Sequence, residues 1–312
     1  MCLITASNLL NRVALLRKVR TGFPGAMAHP SLLETWELQG ARAEPASNLV
    51  HLQRIPHNAL MEACAKGTNL RLRLAKDYRT MSRWAADFIE ADLKFQPDLL
   101  LCASAGGTPT GTYERLAARH LTNPKLFRKL RVLQIDEWGG LPRGHPATCS
   151  TDLQHKLLQP LGISPRRFEG FRSDAPDPDR ECERIRGWLA TNGPIDICLL
   201  GLGLNGHVAM NEPADEFVPH AHVSKLSRSS LNHGMLKDLP NKPRYGLTLG
   251  LGDILRSRRI LLVVSGQPKR AVLKRLLQPR VSGRFPASFL WLHSDVTILC
   301  DRDAALKSQG SL

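Results

Sequence analysis

Aromatic residues make up only 5% of this 312-residue chain, and its seven cysteines include no Cys-x-x-Cys pair. The shortage of aromatics argues against a nucleic-acid protein, as does the lack of any helix-turn-helix, zinc-finger or RNA-binding signature. The formal charge of +15 does not reverse this, because the basic residues are dispersed. A basic surface equally suits an enzyme that handles anionic substrates. The cysteines lie at 2, 64, 102, 149, 182, 198 and 300, three of them in apolar strand-like runs. That scatter fits reduced, packed thiols in a cytosolic protein rather than a disulfide framework or a zinc site. No apolar stretch approaches the length of a membrane span. No glycine/serine-rich or charge-rich linker divides the middle, so the 42% hydrophobic residues serve one large α/β domain.

Acids are missing from the start of the chain: none precedes Glu34, whereas Arg12, Arg17, Lys18 and Arg20 punctuate weakly apolar segments. Residues 1–65 therefore read as a basic N-terminal extension. It is expected to be poorly ordered or the product of a misassigned start, with Met27 or Met61 as the alternative first residue; a transit-like segment has a similar balance. The domain proper is placed at 66–312.

What is present is regular alternation. Helical stretches around Trp84–Leu93, Tyr113–Leu116, Asp152–Leu161, Trp188 and Pro268–Leu277 separate apolar runs at LLLCA, VLQID, IDICLLGLG, RILLVVSG and VTILC. Buried strands alternating with helices predict a mostly parallel sheet covered on both faces, a three-layer αβα sandwich. Loops at the carboxyl ends of such strands make the site.

Three of those loops carry chemistry. The stretch GLGLNG at 201–206 spells a dinucleotide-binding turn, but HVAMNEP comes next where a helix should, and Pro213 cuts any helix short. A nicotinamide cofactor is excluded on that context. The loop instead presents His207 and Glu212, an imidazole that can move protons near neutral pH and a carboxylate that can orient it. SAGGTP at 104–109 also ends a strand and opens a helix. Gly106 and Gly107 let backbone N–H groups approach an anion and Thr108 adds a hydroxyl, although an ordinary tight turn has the same sequence. Lys269, just past LLVVSG, is a second phosphate contact or a solvated lysine at a helix start. In QIDEWGGLP at 134–142, Asp136 and Glu137 end a buried strand, where a partly desolvated acid can act as a general base. The alternatives are a capping aspartate and a salt-bridged glutamate.

Together the segments AGGTPTGTY, DEWGGLP, GLGLNGHVAMNEP, LTLGLGDIL with SGQPK, and FPASFLWLHSDVTILCD resemble the glucosamine-6-phosphate deaminase (isomerase) family. They keep the family's order from about residue 69 to 305, whereas the first 65 residues have no counterpart. DEW, TCSTDLQHKLLQPLG and PASFLWLHS look most like the galactosamine-6-phosphate branch. The resemblance implies a Rossmann-like sheet and a reaction without cofactor or metal. A hexosamine 6-phosphate, of galactosamine or glucosamine, would be isomerised and deaminated to a ketose 6-phosphate plus ammonia. It assigns Asp136 as the base at C2, His207 with Glu212 to ring opening, and Gly106, Gly107, Thr108 and Lys269 to the phosphate. Asn205 belongs to the catalytic set but stands where the family often has aspartate, and Ala105 replaces a common threonine. The arginine that some members use on the phosphate has no clear match in SRSSLNHGMLKD; Arg228, His233 and Arg244 are the candidates. The expected partner is the small-molecule substrate, with no nucleic acid or membrane, and self-association into a homo-oligomer matches the family's habit. The expected location is the cytoplasm. Competing expectations are a 6-phosphogluconolactonase and a non-catalytic sugar-phosphate sensor.

Overall fold

The computed structural model describes residues 70–305. The extension 1–65, both alternative starts, Cys2 and Cys64 lie outside the described residues.

Seven strands form the main sheet: β1 (Leu70–Ala75), β2 (Leu100–Ala103), β3 (Arg131–Gln134), β5 (Phe168–Glu169), β6 (Ile197–Gly201), β9 (Arg259–Val264) and β10 (Val296–Asp301). Their spatial order is β1-β10-β9-β6-β2-β3-β5, and every neighbouring pair is parallel. The central strands are apolar at successive positions, because a parallel sheet buries both faces. In β2, for example, Leu100, Leu101, Cys102 and Ala103 are all fully buried.

The helices arise from capping and apolar spacing. Asp77 accepts the Thr80 N–H at 2.6 Å and starts α1 (Tyr78–Phe95), whose Met81, Ala85, Ile89 and Leu93 recur every four residues and are buried. They meet Tyr113 and Leu116 of α2 (Gly107–Thr122) and Leu101, Leu199 and Leu261 of the sheet in one core cluster. Truncating Ile89 or Leu93 to alanine would cost about 2–5 kcal/mol. The helix expected near 152–161 begins earlier, as α3 (Cys149–Leu153), and continues into a π-helical turn over Gln154–Leu158. Asp177 caps α4 (Pro178–Asn192), which carries a proline in its first turn. The helix after LLVVSG is a 3₁₀ turn, Gln267–Lys269, leading into α6 (Arg270–Leu276).

A second, antiparallel sheet has no counterpart in the sequence pattern. It comprises β4 (Asp136–Gly139), β7 (His222–Ser224) and β8 (Tyr245–Thr248), in the order β4-β8-β7. The expected single strand VLQID is therefore divided at Ile135, whose N–H donates to Ala103 in the main sheet while its carbonyl accepts from Leu249 beside the small one. This pivot sets Asp136 at the carboxyl edge of the parallel sheet.

Candidate active site

Strands β9, β6, β2 and β3 are neighbours in the sheet, so the loops that leave their carboxyl ends converge. They line a cavity of about 290 Å³ that includes Asp136, Gly106, Gly107, Thr108, His207 and Lys269. Six of the eight residues expected at the site thus share one cavity. Asn205 and Glu212 stand behind His207, outside its lining.

Asp136 reaches the cavity with no hydrogen bond to its carboxylate among the described residues. Burial, with the charge of Glu137 next, pushes its pKa up to about 7. Glu137 is wholly buried and accepts from the N–H groups of Trp138, Cys149 and Ser150 and from Gln134 Nε2, at 2.7–3.0 Å. Burial still raises its pKa, against those four donors. Two of the donors begin α3, so Glu137 ties that helix to β4 and fixes the backbone that carries Asp136.

The imidazole is held by its loop. The ring of His207 lies over Gly203, where an added Cβ would meet three ring atoms at 2.4–2.5 Å. His207 Nδ1 is 3.6 Å from Glu212 Oε2 and 3.4 Å from Ser230 Oγ. Glu212 accepts from Asn205 Nδ2 at 2.8 Å, from the Ser227 N–H at 3.2 Å and from the Ser230 hydroxyl. Burial alone would raise its pKa, yet His207, Ser230 and Asn205 together bring it down to about 2. The turn that brings Glu212 back to His207 contains Ala209 at φ 50°, in the left-handed region that side chains disfavour. Thr248 Oγ1 and Ser224 Oγ of the small sheet hold that turn by the N–H and the carbonyl of Met210.

The candidate anion cradle is the N-terminus of α2, where unpaired N–H groups and the helix dipole favour negative charge. Gly106 has φ 105°, and nothing lies within 4 Å of a Cβ built on Gly107. The Gly106 N–H already donates to Asp152 Oδ2 at 2.9 Å, so Gly107 and Thr108 offer the open donors. Tyr78, whose hydroxyl donates to Gly107 O and accepts from the Gly111 N–H, pins this first turn to α1. Across the cavity, Lys269 Nζ donates to Leu202 O, and burial lowers its pKa. Asp301 at the end of β10 fixes the preceding turn by accepting from the Ser265 hydroxyl and the Gly266 N–H.

Of the three candidates for the missing cation, His233 lines the cavity, and Arg228 and Arg244 do not. Ser227 and Ser230 are site residues that sequence reasoning misses: SRSS reads as a break in strand pattern, although Ser-x-x-Ser is also a helix start. Ser227 caps α5 (Arg228–Leu231) and thereby aims Ser230 at Glu212.

An α/β sheet whose carboxyl-end loops gather a free carboxylate, an imidazole–carboxylate pair and a helix N-terminus defines a class of acid–base enzyme. The profile of the family described as glucosamine-6-phosphate isomerases/6-phosphogluconolactonase matches residues 76–299. The chain is 38% identical over 228 residues to AgaI of Escherichia coli (strain K12), provisionally named a deaminase, covering 73% of this chain and 90% of that one. It is 36% identical over 230 residues to glucosamine-6-phosphate deaminase 1 of Bacillus subtilis (strain 168), covering 73% and 95%. A solved monomeric glucosamine-6-phosphate deaminase superposes with a TM-score of 0.72 at 35% identity, covering 75% of this chain and 98% of that one. The 6-phosphogluconolactonase of Trypanosoma brucei, at 21% identity and a TM-score of 0.62 over 76% and 98%, shares the fold alone. The chain belongs to the glucosamine-6-phosphate isomerase/6-phosphogluconolactonase family. No helix among the described residues is long and apolar enough to cross a membrane.

Proposed function

We propose that this chain isomerises and deaminates a hexosamine 6-phosphate, giving a ketose 6-phosphate and ammonia, as a cytoplasmic enzyme of amino-sugar catabolism. The observation that carries the reading is the unpaired Asp136 carboxylate, poised near pH 7 in the same cavity as the His207–Glu212 pair and the α2 N-terminus. A base is most effective when its pKa lies near the working pH.

In this reading the N–H groups of Gly107 and Thr108, the Thr108 hydroxyl and Lys269 hold the phosphate. Fixing the phosphate places C1 and C2 of the sugar over Asp136. His207 takes the proton of the anomeric hydroxyl and returns one to the ring oxygen, which opens the ring to an aldehyde. Glu212 balances the imidazolium formed in between. Asp136 then removes the C2 proton while the C1 oxygen takes up the proton that the ammonium group gives up, forming an enolamine; return of the proton from Asp136 to C1 leaves an iminium at C2. Water adds to that carbon, the C–N bond breaks, and ammonia leaves with the ketone formed. Asn205 acts by holding Glu212 and the His207 backbone rather than by touching the sugar. The catalytic unit is residues 66–312, so a chain starting at residue 62 should keep its activity.

The test is ammonia release from galactosamine 6-phosphate and glucosamine 6-phosphate by wild type and Asp136→Asn. Release by the wild type alone supports the assignment, and the faster sugar names the substrate. Hydrolysis of 6-phosphogluconolactone by both proteins, with no ammonia from either sugar, would overturn it, because lactone hydrolysis needs no base at C2.

A further inference from the structure

Resting on the sugar-phosphate reading, we propose that His233 is the second cation of the phosphate site and takes up a proton when a phosphate dianion binds, making affinity pH-dependent. Four observations place it there. His233 lines the same cavity as Gly107, Thr108 and Lys269. The Cε1–Nε2 edge of its ring lies 3.6 Å from the point where a side chain at Gly106 would begin, directly over the cradle. Its Nδ1 accepts the Met235 N–H at 3.3 Å, so the neutral ring carries its proton on Nε2, the nitrogen on the cradle side. The Trp138 ring stands 5.9 Å away, tilted by 43°, and limits how far the imidazole can swing.

Charges reach His233 from every side of the cavity. His207 comes from the loop after β6, Lys269 from the turn after β9, and Asp152 and Lys156 from α3 and its π-helical extension; Asp136 shares the cavity from β4. Although the residue is exposed at the surface, desolvation by the cavity wall around its ring lowers the His233 pKa, and the charges of His207, Lys269 and Lys156 act in the same direction; Asp152 opposes them. Without a bound anion, His233 is therefore neutral around pH 7. A dianion on the cradle reverses the balance, because two negative charges beside Nε2 favour the imidazolium. One proton is taken up on binding between the free-state and bound-state pKa of His233. Affinity then falls as pH rises through the bound-state value, by up to about tenfold per unit.

The experiment titrates glucitol 6-phosphate, which has neither an amine nor a reactive carbonyl, into the full chain by calorimetry. Measurements run from pH 7 to 9, where the ester is already dianionic, its second pKa being about 6. Two buffers of different ionisation heat are used, so that proton uptake is read directly. Wild type should take up close to one proton in the lower part of that range, with Kd rising as pH increases. His233→Asn retains an acceptor for the Met235 N–H but cannot titrate. It should take up none and bind about tenfold more weakly at pH 7, as expected for a lost charge-assisted bond. His233→Arg, a permanent cation, should bind tightly with no dependence on the buffer. An Asn variant with the wild-type slope and uptake would overturn the proposal, and so would an Arg variant that still takes up a proton. No binding of glucitol 6-phosphate to the wild type at millimolar concentration would overturn the phosphate site itself. Proton-coupled binding without ammonia release would leave His233 in place and sink only the deaminase reading.

Discussion

Replacing Asp136 by asparagine should abolish ammonia release and stabilise the protein, and the two effects have one cause. The fold holds this carboxyl at about 7, against an ordinary value of 3.8. The difference is about 3 units, or about 4 kcal/mol at 1.36 kcal/mol per unit. Water in the cavity screens part of it, so about 2–4 kcal/mol is the working range. The sign comes from proton counting. Below pH 3.8 both folded and unfolded chains carry the proton and Asp136 contributes no slope. Between 3.8 and 7 the unfolded chain ionises while the folded one keeps its proton, so stability falls as pH rises. Above 7 the full deficit persists. Asparagine mimics the neutral acid and has no such slope. At about 2–4 °C per kcal/mol for a body of this size, the variant should melt on the order of 10 °C higher at pH 8. The gain should shrink steadily towards pH 4. Thermal unfolding at pH 4.5, 6 and 8, paired with ammonia release at pH 8, checks both halves. A melting difference that is the same at all three values, or a wild type more stable at pH 8, would refute the reasoning. The same titration predicts that wild-type kcat/KM climbs with pH up to about 7, where the carboxylate becomes the dominant form.

Gly203→Ala would put a Cβ 2.4 Å from the His207 ring and push the imidazole aside by about 1 Å, so kcat should fall about a hundredfold with little change in KM; activity within threefold of wild type would show that the ring position is not critical. Asn205→Asp would set a second carboxylate 2.8 Å from Glu212, and one of the pair must then take up a proton. Its activity should therefore be lower than wild type at pH 7, seen in steady-state rates, even though the family often has aspartate there. Glu137→Gln replaces one of the two oxygens, and with it two of the four accepting contacts, by an NH₂ group facing its former donors, so unfolding in urea should register a loss of about 2–4 kcal/mol. It also removes the charge that helps hold Asp136 up, moving the acid limb of the kcat/KM profile to lower pH.

The parallel sheet was legible because burial on both faces leaves a plain mark: apolar runs such as LLLCA and RILLVV, spaced by capped helices. The small sheet left no such mark. Its strands are three or four residues long, and DEWG carries two acids, which argue against a strand until their partners are known. Those partners are nonlocal. Glu137 is satisfied by backbone donors 12 and 13 residues ahead, and β4 pairs with β8 more than a hundred residues on. The candidate site was legible as far as local order reaches, since each loop announces its own residues. It could not be read where one loop serves another, as when Ser230 and Ser227 hold Glu212, or Asp152 takes the Gly106 N–H.

The glycines of GLGLNG show why a motif must be weighed together with the residues after it. In a dinucleotide turn their common purpose is close approach of backbone to a pyrophosphate. Here each stands in different surroundings. Gly201 ends β6 with open space around its Cβ position. Gly203 admits the His207 ring. Gly206 adopts φ 91° and lies against the Phe285 ring, where a Cβ would come within 2.2 Å, and its carbonyl accepts the Ala287 N–H. Two of the three glycines therefore make room for side chains of this protein rather than for a ligand. Phe285 and Ala287 belong to FPASFL, so Gly206 joins the histidine loop to the segment that leads into β10. Identical spacing thus arises from different packing demands. The two cases are separated in sequence by Pro213 and the missing helix, because the dinucleotide turn depends on a helix N-terminus to hold its pyrophosphate. In this chain Gly106 and Gly107 are the glycines that stand at a helix start.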